Sequence, residues 1–309
     1  MLFGKKKEDK KKTEKQFAEE EQSSEDAIIR PGAPFVMQFL MKGKCSWPDE
    51  SKIQEVLTKY LGEVEAIGDR TTMVSFAAKE YMGEFADAKK VPVMISFTEC
   101  DELETEKFND FERQQWWDYE DKGEHILAEC KYKVMATDMM GGALPPQVRA
   151  NMLMNYLEAL LELYPQCQAV HFINSKKLVP ADMIRNSQVE GLDRYIKFAV
   201  NARFFNISGT NDHVVDTLGL SVLYLEDQQY HFHDMDPNWV VNHALNMASY
   251  RLGSDAEFKP GDTIDGIVDG RIVQNVQWQC HYEESLIAPH RNVLDVCMNE
   301  YAAGNRDYR

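Results

Sequence analysis

The sequence has few of the features that mark secreted or membrane-spanning proteins. Its six cysteines lie 17 or more residues apart, so the close Cys pairs of metal sites and small disulfide scaffolds are absent. Met1-Leu2-Phe3 is not followed by the apolar stretch of about seven residues that a signal peptide needs. No run reaches the roughly 18 apolar residues of a membrane span. These absences predict reduced thiols and a cytoplasmic protein.

The sequence patterns of several common enzyme classes are also missing. There is no GxSxG nucleophile elbow and no GxxxxGK[ST] phosphate loop, and the glycines at 261, 266 and 270 lack the GxGxxG spacing. Cys280 and His281 are neighbours, but on a strand they would point to opposite faces, which argues against a Cys–His dyad. The sequence therefore predicts no nucleophilic active site.

Basic patches are missing from the body of the chain, which has a net charge of −17. Such a chain repels phosphate backbones, so we expect no nucleic-acid binding. A surface of this charge favours solubility, or a basic protein partner. The acidity by itself does not distinguish these two interpretations.

Apolar residues are almost absent from residues 4–26, where a lysine block precedes a glutamate block. Such a segment cannot bury enough surface to offset its ordering entropy, so residues 1–30 are predicted to be a disordered charged tail. The lysines would attract an anionic membrane surface. The glutamates nearly cancel that attraction, and we expect no stable membrane association.

Apolar residues make up 44% of the chain, enough for a folded core. Periodicity and turn residues predict alternating strands and helices. The predicted strands of the first half are 35–41, 72–76, 91–97, 126–136 and 169–173. Helices are predicted after Asp49, over 106–119 and from Pro145-Pro146 to Tyr164.

The second half begins after a polar connector, residues 181–194. Predicted strands follow at 195–207, 262–267, 276–282 and 293–298, and Asp236-Pro237 is a helix-start signal. We predict an α+β fold with helices packed on mixed or antiparallel sheets. Two modules of similar size, residues 31–185 and 190–300, are expected, with 301–309 as a tail.

Histidines concentrate in residues 212–252, which hold four of the eight. His231 and His233 alternate along a predicted strand, so both imidazoles would lie on one face, a spacing that a divalent metal can use. His213 and Asp234 are the candidates to complete a metal site. The alternative is a structural or surface role for these side chains. Asp236, for example, is explained as a helix cap.

Three further residues are candidate interaction residues. Trp116 and Trp117 would serve as interface anchors, or one indole would fill the core. Arg291 is one of few basic residues near the end of the chain, and it would bind a carboxylate, either internal or from a partner.

Several segments together resemble a known family. They are QQWWDYEDKGEHILAECKYKVMATD at 114–138, DTLGLSVLYLEDQQYHFHDMDPNWVVNHALNMASYRL at 216–252, the GDTIDG turn at 261–266 and WQCHYEESLIAPHRNVLDV at 278–296. Over residues 34–298 the chain resembles the uncharacterised, largely bacterial domain-of-unknown-function family 4261. The resemblance implies a fold and no chemistry, because its motifs are core and turn residues.

We therefore expect a non-enzymatic protein-interaction module, of immunity or adaptor type, whose acidic surface binds a basic partner. No cofactor is expected. The alternative is a metal-dependent hydrolase that uses His213, His231 and His233, with a bound divalent metal. The two hypotheses differ in one structural requirement, since the hydrolase needs the histidine nitrogens to converge on a common point.

Overall fold

The computed structural model describes residues 31–85, 90–116, 122–254 and 257–304. Trp117, the predicted tail at 1–30 and residues 305–309 lie outside the described residues. Within the described ranges the protein has seven α-helices and two β-sheets. None of these helices is both long and apolar enough to cross a bilayer.

The first sheet is antiparallel and has eight strands, all from the first 180 residues. The order is β2-β3-β4-β6-β1-β7-β8, with β5 beside β6. The strands are β1 (Val36–Met41), β2 (Val64–Ile67), β3 (Met73–Glu84), β4 (Lys90–Thr98), β5 (Asp101–Glu102), β6 (Tyr132–Met139), β7 (Ala169–Phe172) and β8 (Lys177–Pro180).

The second sheet has six strands in the order β12-β13-β14-β11-β10-β9. Its strands are β9 (Asn201–Asn206), β10 (His213–Leu218), β11 (Asp227–Phe232), β12 (Thr263–Val268), β13 (Arg271–Glu284) and β14 (Asn292–Cys297). Strands β11 and β14 are parallel, and the other pairs are antiparallel. The predicted α+β class with mixed and antiparallel sheets is confirmed.

Seven helices pack on these sheets: α1 (Glu50–Leu61), α2 (Asp110–Arg113), α3 (Lys122–Glu129), α4 (Pro146–Leu163), α5 (Ala181–Arg185), α6 (Asp193–Ala199) and α7 (Pro237–Gly253). Both long helices, α4 and α7, begin with proline, whose fixed φ suits the first helical position. The predicted cap of α7 is present, because the Asp236 carboxylate accepts a hydrogen bond from Asn238 N at 2.9 Å.

Two predicted strands are wrong in part. Residues 126–129 belong to helix α3, and strand β6 begins only at Tyr132. The apolar residues of α3 pack on Phe108 and Trp116, and these contacts with an adjacent segment favour the helix over a strand. Residues 195–199 likewise form helix α6, whose Tyr195 and Phe198 lie in the core. The predicted connector at 181–194 contains α5.

The larger hydrophobic core draws on both halves of the chain. Helix α4 supplies the largest share, helix α1 and strands β1 and β4 add to it, and Tyr195, Leu220 and Leu252 enter it from the second half. Helix α7 also supplies Val240 and Ala244 to the core of the second sheet. The helix therefore contacts two cores, and it places the second sheet beside the first.

Candidate functional site

The second sheet has one apolar face and one polar face. The apolar face packs on α7 and includes Tyr230, Trp278 and Cys280, all buried. On the polar face, one residue from each of five adjacent strands stands in a single row. The cross-strand partners in this row are His281, Asp295, Gln229, Asp216 and Arg203, on β13, β14, β11, β10 and β9 respectively.

The Arg203 end of the row is a buried ionic network. Arg203 binds both carboxylate oxygens of Asp216, at 2.8 and 2.5 Å. Arg291, only 5% exposed, donates to Asp216 Oδ2 at 2.8 Å and to Asp227 Oδ2 at 3.0 Å. Two guanidinium groups thus face two carboxylates, which makes the network electrically balanced.

The backbone completes this network. The second oxygen of Asp227 accepts from Leu220 N at 3.0 Å, and Arg291 also donates to the carbonyls of Thr217 and Pro289. Burial raises the pKa of Asp227, while the charge of Arg291 opposes that shift. With these donors occupied inside the protein, Arg291 binds internal carboxylates, one of the two roles considered for it.

The His281 end of the row holds a different set of side chains. His281 and Glu283 alternate on β13, and Asp295 stands directly across from His281 on β14. His281 Nε2 lies 3.4 Å from Glu283 Oε2 and 3.7 Å from Asp295 Oδ2. Each of these three residues offers one possible metal-ligand atom, and the three atoms lie within 4.8 Å of one another.

Gln229 fixes the two carboxylates of this group. Its amide nitrogen donates to Glu283 Oε1 at 2.6 Å and to Asp295 Oδ1 at 3.1 Å. Its amide oxygen accepts from Leu286 N at 2.7 Å. These contacts hold one oxygen of each carboxylate, and the other oxygen of each lies near His281. An imidazole and two carboxylates are donors that a divalent metal can use.

The histidines predicted as metal ligands have separate partners. His213 Nδ1 lies 2.9 Å from Asn206 Oδ1, His231 Nε2 lies 3.6 Å from Asp212 Oδ2, and His233 Nδ1 lies 2.9 Å from Asp234 Oδ2. His213 pairs across the strands with Phe232, so it lies on the face opposite His231. His213 and Asp234 do line one cleft. The four residues do not form a group with close ligand atoms.

The fourth histidine of the same segment, His243, is buried in α7. Its Nδ1 lies 3.0 Å from the Tyr230 hydroxyl and its Nε2 lies 2.8 Å from the Asp265 carbonyl. A carbonyl only accepts, so Nε2 donates to Asp265 and Nδ1 accepts from Tyr230. Burial lowers the pKa of His243, which favours this neutral form.

Comparison with known proteins identifies the segment that contains most of the polar row. Residues 216–297 match the family described as Domain of unknown function (DUF4261). The match supports the family resemblance, and we refer to residues 216–297 as the DUF4261 domain. No curated protein and no solved structure matches the chain. The matched range is narrower than the resemblance over 34–298.

The DUF4261 domain contains every member of the polar row except Arg203. From the sequence, His281 was considered only as a neighbour of Cys280. The available signal was the alternation of His281 and Glu283 at the end of the predicted strand 276–282. Asp295 gave no such signal, because only strand pairing places it opposite His281.

Trp116, the predicted anchor that the structure describes, lies outside the DUF4261 domain and inside the core. It is 4% exposed, its indole N–H donates to the Lys176 carbonyl at 2.9 Å, and its ring packs on Phe108 and His171. This buried position agrees with the alternative in which one of the two indoles fills the core.

An exposed surface with apolar and acidic parts lies beside β9, the edge strand of the second sheet. Phe111 of α2, 45% exposed, stacks on Phe205 of β9 with ring centroids 5.2 Å apart and planes at 15°. The adjoining segment 99–110 has six exposed acidic residues and one lysine. The acidic residues are Glu99, Asp101, Glu102, Glu104, Glu106 and Asp110. We call these residues and the Phe111–Phe205 pair the acidic–aromatic surface.

Proposed function

We propose that the protein is a non-enzymatic interaction module, of adaptor or immunity type, that binds a basic protein through the acidic–aromatic surface. The observation behind the proposal is the exposed ring of Phe111, stacked on the half-buried Phe205 beside an acidic segment. A central aromatic contact surrounded by polar residues is the usual composition of a protein interface.

The charge of the surface fits a basic partner. Segment 99–110 has six acidic side chains against one lysine, Lys107, which pairs with Glu104. A field of one sign steers an oppositely charged partner and raises the association rate, an effect that salt screens. The net charge of −17 adds a long-range component of the same sign.

The surface is also held in place by the fold. Strand β5 pairs with β6, and the Gln115 side chain occupies the edge of β9, where it accepts from Phe204 N at 3.0 Å and donates to Phe204 O at 3.4 Å. Arg203 lies over the ring of Phe205, with its guanidinium carbon 5.2 Å from the centroid. A surface that is ordered before binding loses less entropy when a partner docks.

The test compares two charge variants of the full chain. The first changes Glu99, Glu102 and Glu106 to Gln and Asp101 and Asp110 to Asn. The matched control makes the same kinds of change at Glu50, Glu63, Glu80, Glu84 and Asp69, which are exposed elsewhere. Proteins captured from a cell extract by the wild type, but not by the first variant, are identified, purified and measured by titration calorimetry.

We expect a partner of basic composition whose affinity falls at least tenfold in the first variant and in Phe111→Ala, and stays unchanged in the control. Its association rate should decrease as salt increases. Equal capture by both charge variants would contradict the proposal. So would an acidic partner, or binding that Phe111→Ala leaves intact.

A further inference from the structure

We infer that His281, Glu283 and Asp295 form a binding site for a divalent transition-metal ion. The inference is independent of the proposed interaction function, because these residues lie in the DUF4261 domain and the acidic–aromatic surface lies outside it. None of them belongs to the histidine cluster predicted from the sequence. The site would take an ion of the manganese-to-zinc series, with solvent at the remaining coordination positions.

The donor atoms lie at distances that suit a metal ion. Ligands about 2.0–2.1 Å from a four-coordinate zinc ion lie roughly 3.3 Å from one another. His281 Nε2 lies 3.4 Å from Glu283 Oε2 and 3.7 Å from Asp295 Oδ2, and all three ligand atoms lie within 4.8 Å of one another. The side chains therefore lie close to the positions that a bound ion requires.

The strands that support these side chains are firmly held in the sheet. Asp295 lies on β14, which is paired on both sides, with β13 and with β11. Its carboxylate is fully buried, while the side chains of His281 and Glu283 are 19% and 25% exposed. The group thus has a buried base and a side open to solvent, through which an ion can enter and water can coordinate it.

Gln229 orients the two carboxylates from behind. Its amide nitrogen holds Glu283 Oε1 and Asp295 Oδ1, and Leu286 N fixes the amide oxygen. Groups that hold the non-coordinating oxygen of a ligand carboxylate are characteristic of metal sites. Two carboxylates held by one amide repel each other. A divalent cation between Oε2 and Oδ2 offsets that repulsion.

The donor types select the class of ion. Imidazole nitrogen suits zinc, copper, iron and nickel, and carboxylate oxygen suits manganese, whereas magnesium and calcium prefer all-oxygen sites. The order of affinities for such a mixed site places Zn²⁺ above Mn²⁺. We expect one Zn²⁺ or Mn²⁺ ion per chain, and much weaker binding of Mg²⁺ and Ca²⁺.

The experiment titrates metal-free full-length protein, purified without an affinity tag, with Zn²⁺, Mn²⁺, Mg²⁺ and Ca²⁺ separately. Calorimetry gives stoichiometry and affinity, and Co²⁺ substitution gives a visible spectrum that reports the ligand set. The test variants are His281→Gln, Glu283→Gln and Gln229→Leu. The matched control is His233→Gln with Asp234→Asn, two residues of the predicted cluster that contact each other. Far-UV circular dichroism confirms that each variant is folded.

We expect one Zn²⁺ site that is lost or weakened more than 100-fold in His281→Gln and Glu283→Gln. Gln229→Leu should weaken it about 10- to 100-fold, because this residue orients the ligands. The control should bind as the wild type does. If neither Zn²⁺ nor Mn²⁺ binds at one ion per chain when the metal is saturating, the inference is overturned. Unchanged affinity in folded His281→Gln, or loss in the control alone, would overturn it equally.

Discussion

Arg291 is the residue on which the buried charges of the second sheet depend. It contacts Asp216 and Asp227, both fully buried, and it is itself 5% exposed. An ion pair of this kind adds little net stability, because desolvation offsets the attraction. Removal of Arg291 is different, since it leaves the buried Asp227 carboxylate without its cation, while Asp216 keeps only Arg203.

We therefore predict that Arg291→Met lowers the free energy of unfolding by about 3–5 kcal/mol. Urea denaturation followed by circular dichroism measures the change. Arg271→Met, at an exposed position of β13, is the matched control and should change the free energy by about 0.5 kcal/mol or less. An equally small decrease in the free energy of unfolding of Arg291→Met would show that the network is not needed for folding.

His243 determines part of the pH dependence of stability. Burial lowers its pKa below the ordinary value of 6.5. Between pH 6.5 and the lower pKa of the folded state, the unfolded chain binds a proton that the folded protein does not. The free energy of unfolding should therefore decrease as the pH falls through about 6.5, and the decrease should level off below the folded pKa.

The measurement compares urea midpoints at pH 7.5 and pH 5.5 for the wild type and His243→Gln. The glutamine variant is expected to be less stable at both pH values, because the substitution removes a buried imidazole that makes two hydrogen bonds. Its loss of stability between the two pH values should be smaller than that of the wild type. Equal decreases in stability for the two proteins would mean that His243 does not contribute to the pH dependence.

At the scale of helices and strands, local sequence signals predicted the elements that carry their own start and stop residues. Helix α7 begins at a proline that follows a capping aspartate, and α4 begins at the second of two prolines. Helices α3 and α6 lack such signals, and the apolar residues in them are compatible with a strand. They become helical because one face of each packs on existing core residues, a contact that periodicity does not reveal.

Sequence periodicity was also insufficient to predict the candidate site, which depends on how the strands pair. Alternation along β11 predicted that His231 and His233 share a face, but the pairing register sets His213 opposite Phe232 and not opposite His231. A shift of one residue in register moves a side chain to the other face. The group at His281 arises because β13 and β14 pair with His281 opposite Asp295.

At the scale of the whole molecule, the shared core predicts that the two sheets unfold together. Helix α6 and residues 220–223 lie in the core of the first sheet, and α7 contacts both cores. Arg149 of α4 adds polar contacts across the halves, with Asp138 Oδ2 at 3.1 Å and the Val222 carbonyl at 2.5 Å. Separation of the halves would expose apolar surface on both.

Hydrogen exchange at increasing urea concentration tests this prediction on the full chain. Peptides from β1 and β14 should show the same free energy of opening and the same dependence on urea. If β14 opens at lower urea than β1, the halves are separate folding units. The predicted boundary between modules 31–185 and 190–300 would then describe their folding.

The sequence by itself determined the α+β class, the acidic charge, most strands and both long helices, because periodicity, caps and prolines act over a few residues. It also carried the resemblance to the DUF4261 family, which the match at 216–297 confirms. The tertiary structure decided which side chains meet. Strand register and order brought His281, Glu283, Asp295 and Gln229 together, and packing placed Trp116 and Arg291 inside the protein. Such contacts join residues far apart in the chain, so no local pattern encodes them.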